Sequence, residues 1–321
     1  TAQLTILTYE QKMLNNMVDI EFGRTDLGDS FEVSPFYCDF QSNAICGNPD
    51  EMGKVTSTPF YPVSIWGGRV LVTPSPNLYV KAGIYQSDPL TNPGAHHGFD
   101  WGTEGSTGFL VPIEAGFKST PEGAVAPNQY DLGVIFDRTH YTAPFYNAIG
   151  PEQFGRTAVY AQAQQMVYQP VPGKPQGLYL FGEGMVGASG GKQVSNFQVE
   201  AGAIWQGIFP NRPNDNLGVA INDVHYNNRY LNYLYNGVGN LNSRVAQGGT
   251  QFPDNNLMMM EIHYAVQVNP WMNVMPNFQY IIHPDGQAFA KYPAANLPNA
   301  AVFGVQLFVD LPTLFGIPTK S

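Results

Sequence analysis

From Asn255 to Gly286 the chain alternates polar and apolar side chains almost without interruption. Glu261, His263, Ala265, Gln267 and Asn269 are polar or small, while Met260, Ile262, Tyr264, Val266 and Val268 between them are apolar. A period of two is the signature of a β-strand with one wet and one apolar face. The pattern breaks once, at Pro270–Asn273, and then resumes with Phe278, Tyr280 and Ile282 against Asn277, Gln279 and His283. Two strands of roughly ten residues joined by a tight turn are tall enough to cross a bilayer at a tilt.

The same unit recurs along the chain. LTILTYEQKML and MVDIEFGRTD flank a turn at Asn15–Asn16, and a long loop rich in aromatic residues runs from Asp29 to Pro62. SIWGGRVLVTP and NLYVKAGIYQSD meet at a Ser-Pro-Asn turn; residues 90–107 form a second long loop. GFLVPIEAGFKS places Phe109, Val111, Ile113, Ala115 and Phe117 on one face, with Glu114, Gly116 and Lys118 on the other. QYDLGVIFDRTHY, TAVYAQAQQMVYQ, GLYLFGEGMVGAS, FQVEAGAIWQGIF and NLGVAINDVHYN follow, then the Asn/Gly/Tyr-rich segment 228–254, the hairpin described above, and a last strand, AVFGVQLFVDL. The reading is all-β, an antiparallel transmembrane β-barrel with about thirteen strands in this chain, whose short and long connections alternate as they do in outer-membrane barrels. The first and last strands run the same way, whereas a closed barrel with both ends on the short-turn side has an even number. Either an odd number of strands precedes Thr1, or the count is off by one.

Composition agrees with such a wall. Charged residues make up only 12% of the chain, no apolar run reaches eighteen residues, and there are 34 glycines and 26 prolines for turns. Helical membrane proteins and disordered chains are both disfavoured by this combination. A net charge of −10 argues against nucleic acid as a partner. Cys38 and Cys46 lie eight apart in a polar loop, which favours a disulfide and an oxidising compartment over free thiols. No signal peptide is visible, as expected of a mature or trimmed chain.

FGRTDLGDSF, YCDFQSNAICGNP, PVSIWGGRVLVTPSPNLYVKAGIYQ, GFDWGTEGSTGFLVPIEAGF and MPNFQYIIHPDG together resemble the carbohydrate-selective porin family, OprB, and the likeness runs in order along essentially the whole chain. The resemblance implies one domain over residues 1–321, forming a sixteen-stranded barrel in the outer membrane of a Gram-negative bacterium. It implies passive diffusion of sugars, with about three strands before Thr1. Carbohydrate, outer-membrane lipid and lipopolysaccharide would be its partners, in a monomer or homotrimer, without a cofactor. A porin for small organic acids, such as quinate or aromatic carboxylates, is the alternative. One departure is the tail DLPTLFGIPTKS beyond Val309, where such barrels usually end on an aromatic residue; it is either a family variation or a segment folded back into the periplasmic mouth.

A sugar channel needs hydrogen-bonding groups facing water and opposed charges at the narrowest point. Alternation turns Glu10, Lys12, Asp19, Glu21, Arg69, Lys81, Glu114, Asp137, Glu200 and Glu261 inward. A basic residue at mid-bilayer on the lipid face would cost about 2–4 kcal/mol. The residues expected to contact substrate are Glu10, Glu21, Arg24, Trp66, Arg69, Glu114, Asp137 and Glu261; the bland alternative is that many of them only solvate the wall. Arg24 and Arg138 share strand parity with the lipid-facing Phe22 and Phe136, so each either lies beyond the apolar band or is turned inward by a bulge. Arg24 is placed near the constriction, because acids crowd it and a long loop follows; Trp66 is either a sugar platform or a girdle residue. Gly187-Ala-Ser189-Gly-Gly191 matches the G-x-S-x-G string but joins two strands, so no nucleophile elbow is expected. His96–His97 lacks further metal-spaced ligands, so no metal is expected, and Met258–Met260 belongs to the wall. An outer-membrane lipase and a soluble β-rich binding protein are the rivals from other classes.

Overall fold

A computed structural model describes residues 3–46, 51–59, 62–88, 97–99, 101–119, 125–142, 152–190, 193–237, 243–284 and 295–317. Thirteen strands form one sheet in which every strand pairs antiparallel with its sequence neighbours. They are β1 (Leu7–Met13), β2 (Val18–Thr25), β3 (Ile65–Ser75), β4 (Leu78–Ser87), β5 (Gly108–Lys118), β6 (Asn128–Thr142), β7 (Glu152–Tyr168), β8 (Gly177–Gly187), β9 (Ser195–Gln206), β10 (Asn216–Tyr226), β11 (Asn256–Asn269), β12 (Met272–Ile282) and β13 (Ala300–Val309). The described pairings do not join β1 to β13. Phe303, Val305, Leu307 and Phe308 on β13 are largely exposed.

Alternation governs the wall. On β11 the odd residues Glu261, His263 and Ala265 are buried and the even residues Met260, Ile262 and Val268 are exposed. Phe109, Ile113 and Phe117 on β5 face outward while Leu110 and Glu114 are buried inside. The first turn uses Leu14, Asn15 and Asn16 at φ of 52°, 56° and 66°, a left-handed conformation that asparagine tolerates well.

Five inward aromatic rings lie flat on glycines directly opposite them: Tyr79 on Gly116, Tyr85 on Gly67, Tyr160 on Gly133, Phe181 on Gly202 and His263 on Gly218. A Cβ at any of these glycines would overlap the ring. The rings fold down against the wall instead of crossing the lumen, a form of aromatic cover over strand glycine.

Among the described residues, three short α-helices were not visible in the period-two pattern: α1 (Glu51–Val55), α2 (Asn228–Asn236) and α3 (Leu311–Phe315). Asn227 caps α2 by accepting the Arg229 N–H, inside the segment read as a long loop. The tail forms α3, capped by Asp310 and closed by Gly316 at φ 65°. Its start is held beside the β11–β12 turn, where the Asp310 N–H donates to Trp271 O at 2.9 Å, and Leu311 and Phe315 are exposed. Strand β7 begins at Glu152 rather than at Thr157 as the sequence pattern suggests.

Candidate functional site

The connection between β2 and β3 does not stand above the barrel; it enters it. Leu27, Phe31, Met52 and Val55 from this loop are fully buried against Ile65, Tyr85, Leu110, Ile135, Ala158, Tyr160 and Met185 of the wall. A second cluster packs Tyr37, Phe40 and Ile45 on Phe181, Ile204 and Ala220. Fully burying one large apolar side chain contributes about 1.5–3 kcal/mol, so the inserted loop brings its own core into the lumen. Cys38 and Cys46 are bonded across it.

Wall carboxylates hold the loop backbone. Glu261 accepts the Gln41 N–H at 2.8 Å and the Ser42 N–H at 2.7 Å. Asp137 accepts the Ser57 N–H at 2.8 Å and pairs with Arg156 at 2.9 Å. Glu114 is 1% exposed and receives four donors: the Glu32 N–H at 3.0 Å, Tyr79 O–H at 2.7 Å, Tyr160 O–H at 2.6 Å and Lys81 at 2.7 Å. Such charge-assisted bonds are about twice as strong as neutral ones, and the set leaves no carboxylate lone pair idle.

Between loop and wall a cavity of about 790 Å³ remains, lined by Asp29, Ser30, Val33 and Pro35 from the loop and by Glu21, Arg69, Tyr79, Lys81, Gln129 and Gln164 from the wall. Arg69 sits among three carboxylates, at 3.0 Å from Glu21, 3.5 Å from Asp19 and 3.8 Å from Glu10. Gln129 and Gln162 both donate to Asp131 at 2.7 Å, and the Tyr79 hydroxyl, whose one proton serves Glu114, lies against the same carboxylate. The lining therefore offers fixed donors and acceptors of both signs. In the loop, burial raises Asp26 to about 7 and Asp39 to about 6. Glu32 is pushed well above the usual carboxylate range, first by burial and then by the charge of Glu183.

The residues singled out in the sequence fall into three groups. Glu10, Glu21 and Arg69 share one inward charged ladder, with Glu21 and Arg69 on the cavity surface. Glu114, Asp137 and Glu261 also face inward but lie buried beneath the loop, with their oxygens on its amides. Arg24 and Trp66 are directly opposed on β2 and β3 with the parity of outward Phe22. Arg24 donates to Ser64 O at 2.6 Å and stacks over Trp66. The indole N–H donates to Trp101 O at 3.2 Å, and neither residue is on the cavity surface. Arg138 stays outward, exposed over Phe136. Ser189 is taken up structurally, accepting the Thr157 N–H at 2.6 Å. Met259 faces the loop and meets the Ser42 hydroxyl, whereas Met260 is outward and exposed. No group of His, Cys, Asp or Glu among the described residues is placed to hold a metal; His96 and Gly191 lie outside them. Tyr79, Gln129, Asp131, Gln162, Gln164 and Glu183 were not singled out. The available signal was their inward parity together with their hydrogen-bonding chemistry.

Known proteins resemble this chain in sequence and fold. A family model described as carbohydrate-selective porin, OprB family, matches residues 1–311. Porin B of Pseudomonas aeruginosa is 29% identical, over 96% of this chain and 68% of its own length. The putative porin QuiX of Acinetobacter baylyi is 24% identical, over 85% of this chain and 62% of its own length. The high-pH structure of Pseudomonas putida OprB superposes with a TM-score of 0.79 at 24% identity, covering 96% of this chain and 73% of that one. The low-pH structure of the same protein gives 0.51 at 21% identity. With a thirteen-stranded antiparallel wall, an inserted loop and a family match over nearly its whole length, the chain belongs to the carbohydrate-selective porin family, OprB, of the Gram-negative outer membrane.

Proposed function

We propose that the chain is a single porin domain through which small carbohydrates diffuse passively. The observation that carries this reading is the cavity left between loop and wall. Its surface mixes cations, carboxylates, amides and a tyrosine, which suits hydroxyl-rich neutral solutes better than any single charge. Glu21 and Arg69, with Glu10 behind them, orient hydroxyls, while Lys81, Tyr79, Gln129 and Gln164 complete the path. Glu114, Asp137 and Glu261 act at one remove by fixing the loop. The chain catalyses no reaction in this reading. It sits in outer-membrane lipid and lipopolysaccharide, as a monomer or homotrimer.

The resemblance to QuiX raises a porin for small organic acids as a second reading. Arginine in excess of carboxylate at the constriction would favour it. The lining carries Arg69, Lys81 and Lys118 with Glu21 and Asp29, but Arg69 is shared by three carboxylates and Lys81 is paired with Glu114, so most of the cationic charge is already neutralised, which supports neutral sugars. Single-channel conductance in a planar bilayer, titrated with neutral sugars and then with small organic acids, tests the proposal. Sugar-dependent block that weakens in Arg69→Ala and Glu21→Ala is expected. Block by anions alone would transfer the assignment to organic acids, and a folded protein without conductance would refute the porin reading.

A further inference from the structure

Glu32 occupies an unusual position on the inserted loop. Its flanking residues Ser30, Val33 and Pro35 line the cavity, yet Glu32 itself is fully buried, close enough to Glu183 to feel its charge. Its backbone is in the left-handed region at φ 57°, although it is not glycine. Strain of that kind persists only when the surroundings over-determine it. The surroundings here are acidic. Glu183 on β8 and Glu200 on β9 are directly opposed cross-strand partners, a pairing that is unfavourable when both are charged. Glu114 on β5 takes the Glu32 N–H. Tyr160 on β7 donates to Glu114, and Tyr37 on the loop itself donates to Gln162 of β7, which in turn bonds Asp131 of β6. Asn222 on β10 reaches Glu200 at 3.4 Å. Lys81 on β4 brings positive charge, and it is spent on Glu114.

Three carboxyls gathered in a dry site cannot all ionise, so the docked loop requires at least one bound proton. We infer that Glu32 is the catch of a proton-operated latch. With its carboxyl protonated, the segment Asp29–Pro35 stays docked and narrows the cavity; with the proton lost, like charges on β8 and β9 expel the segment and the cavity widens. The rest of the loop stays in place, because Glu261 and Asp137 hold Gln41, Ser42 and Ser57 through bonds that ionisation favours.

The elevated proton affinity of Glu32 sets the direction. An acid whose pKa is raised by docking stabilises the docked state below its ordinary pKa, and that stability is lost as pH rises toward the raised value. Across that window the docked-to-released ratio of a single-proton latch changes by about tenfold per pH unit. The inference rests on the channel reading above. Its test is the single-channel conductance of the full chain in a planar bilayer between about pH 6 and pH 10, for wild type, Glu32→Gln and Glu183→Gln. The wild type should open reversibly to a larger conductance as pH rises. Glu32→Gln should remain at the smaller conductance, and Glu183→Gln, which removes the facing charge, should blunt the rise even if the first variant fails to fold. A flat wild-type profile, or a Glu32→Gln or Glu183→Gln profile that follows wild type, overturns the latch while leaving the porin intact. Absence of conductance at every pH in folded wild type refutes the channel reading itself.

Discussion

Replacing Glu261 by alanine is the most direct test of how the lumen is narrowed. Its two oxygens receive the Gln41 and Ser42 N–H groups at 2.8 and 2.7 Å, with Gln279 at 3.2 Å as a third donor. Hydrogen bonds to a charged group contribute about 1.5–3 kcal/mol each. Losing the two backbone bonds, with Ser42 buried, should cost the docked loop about 3–6 kcal/mol. At 1.4 kcal/mol per factor of ten, the docked-to-released ratio falls by about two to four powers of ten. The wall should survive, because its ladder bonds are untouched and Glu261 is opposed by Ala220 and Gln279 on its two neighbours. Open-channel current noise should increase, and proteinase K should cut the loop in detergent while the barrel core resists. Glu261→Gln retains an acceptor and should fall between wild type and alanine. Wild-type noise together with wild-type protection in Glu261→Ala would refute the claim that carboxylate-to-amide bonds hold the constriction.

Gly133→Ala should displace the Tyr160 ring, for an overpacking cost of about 1–3 kcal/mol. Because Tyr160 donates to Glu114, loop protection should fall in this variant far more than barrel heat-modifiability on gels. Reduction, or paired Cys38→Ser and Cys46→Ser, reopens a loop closed across eight residues and should weaken loop docking by about 2–3 kcal/mol, read as faster proteolysis without loss of the wall. Asp39→Asn removes a carboxyl that burial raises to about 6. An acid raised on docking stabilises the docked loop below its ordinary range and loses that contribution as pH climbs past 6, so the variant should protect the loop better than wild type at pH 8 and equally at pH 4.

The wall was legible in the sequence because period two is a local property: the turn at Asn15–Asn16, the break at Pro270–Asn273, which the structure tightens by starting β12 at Met272, and the inward set on β11 follow from residues a few positions apart. The lumen was not legible in the same way. Glu114, Asp137 and Glu261 read correctly as inward, but whether an inward carboxylate meets water or a loop amide depends on contacts 80 to 220 residues away in sequence. A warning sign was present in Leu110, Ile135 and Ile204, apolar residues on the inward parity that a water-filled channel does not need. These residues receive Phe31, Tyr37 and Phe40. Arg24 illustrates the opposite difficulty. Its parity with Phe22 was informative, and its proximity to acids in the sequence was not, since the side chain is covered near the rim by Trp66 and bonded to Ser64 O.

The loop that narrows the barrel emerges from the ribosome directly after the β1–β2 hairpin, yet its partner Glu261 lies 220 residues later than Gln41. Its docking is therefore incomplete until β11 is in place, and loop closure over such separations is slow. Assembly should be ordered, with the wall completed first and the constriction set last. A freshly inserted barrel would pass through a leaky stage, visible on refolding into liposomes as an early burst of solute entry that slows as the loop settles.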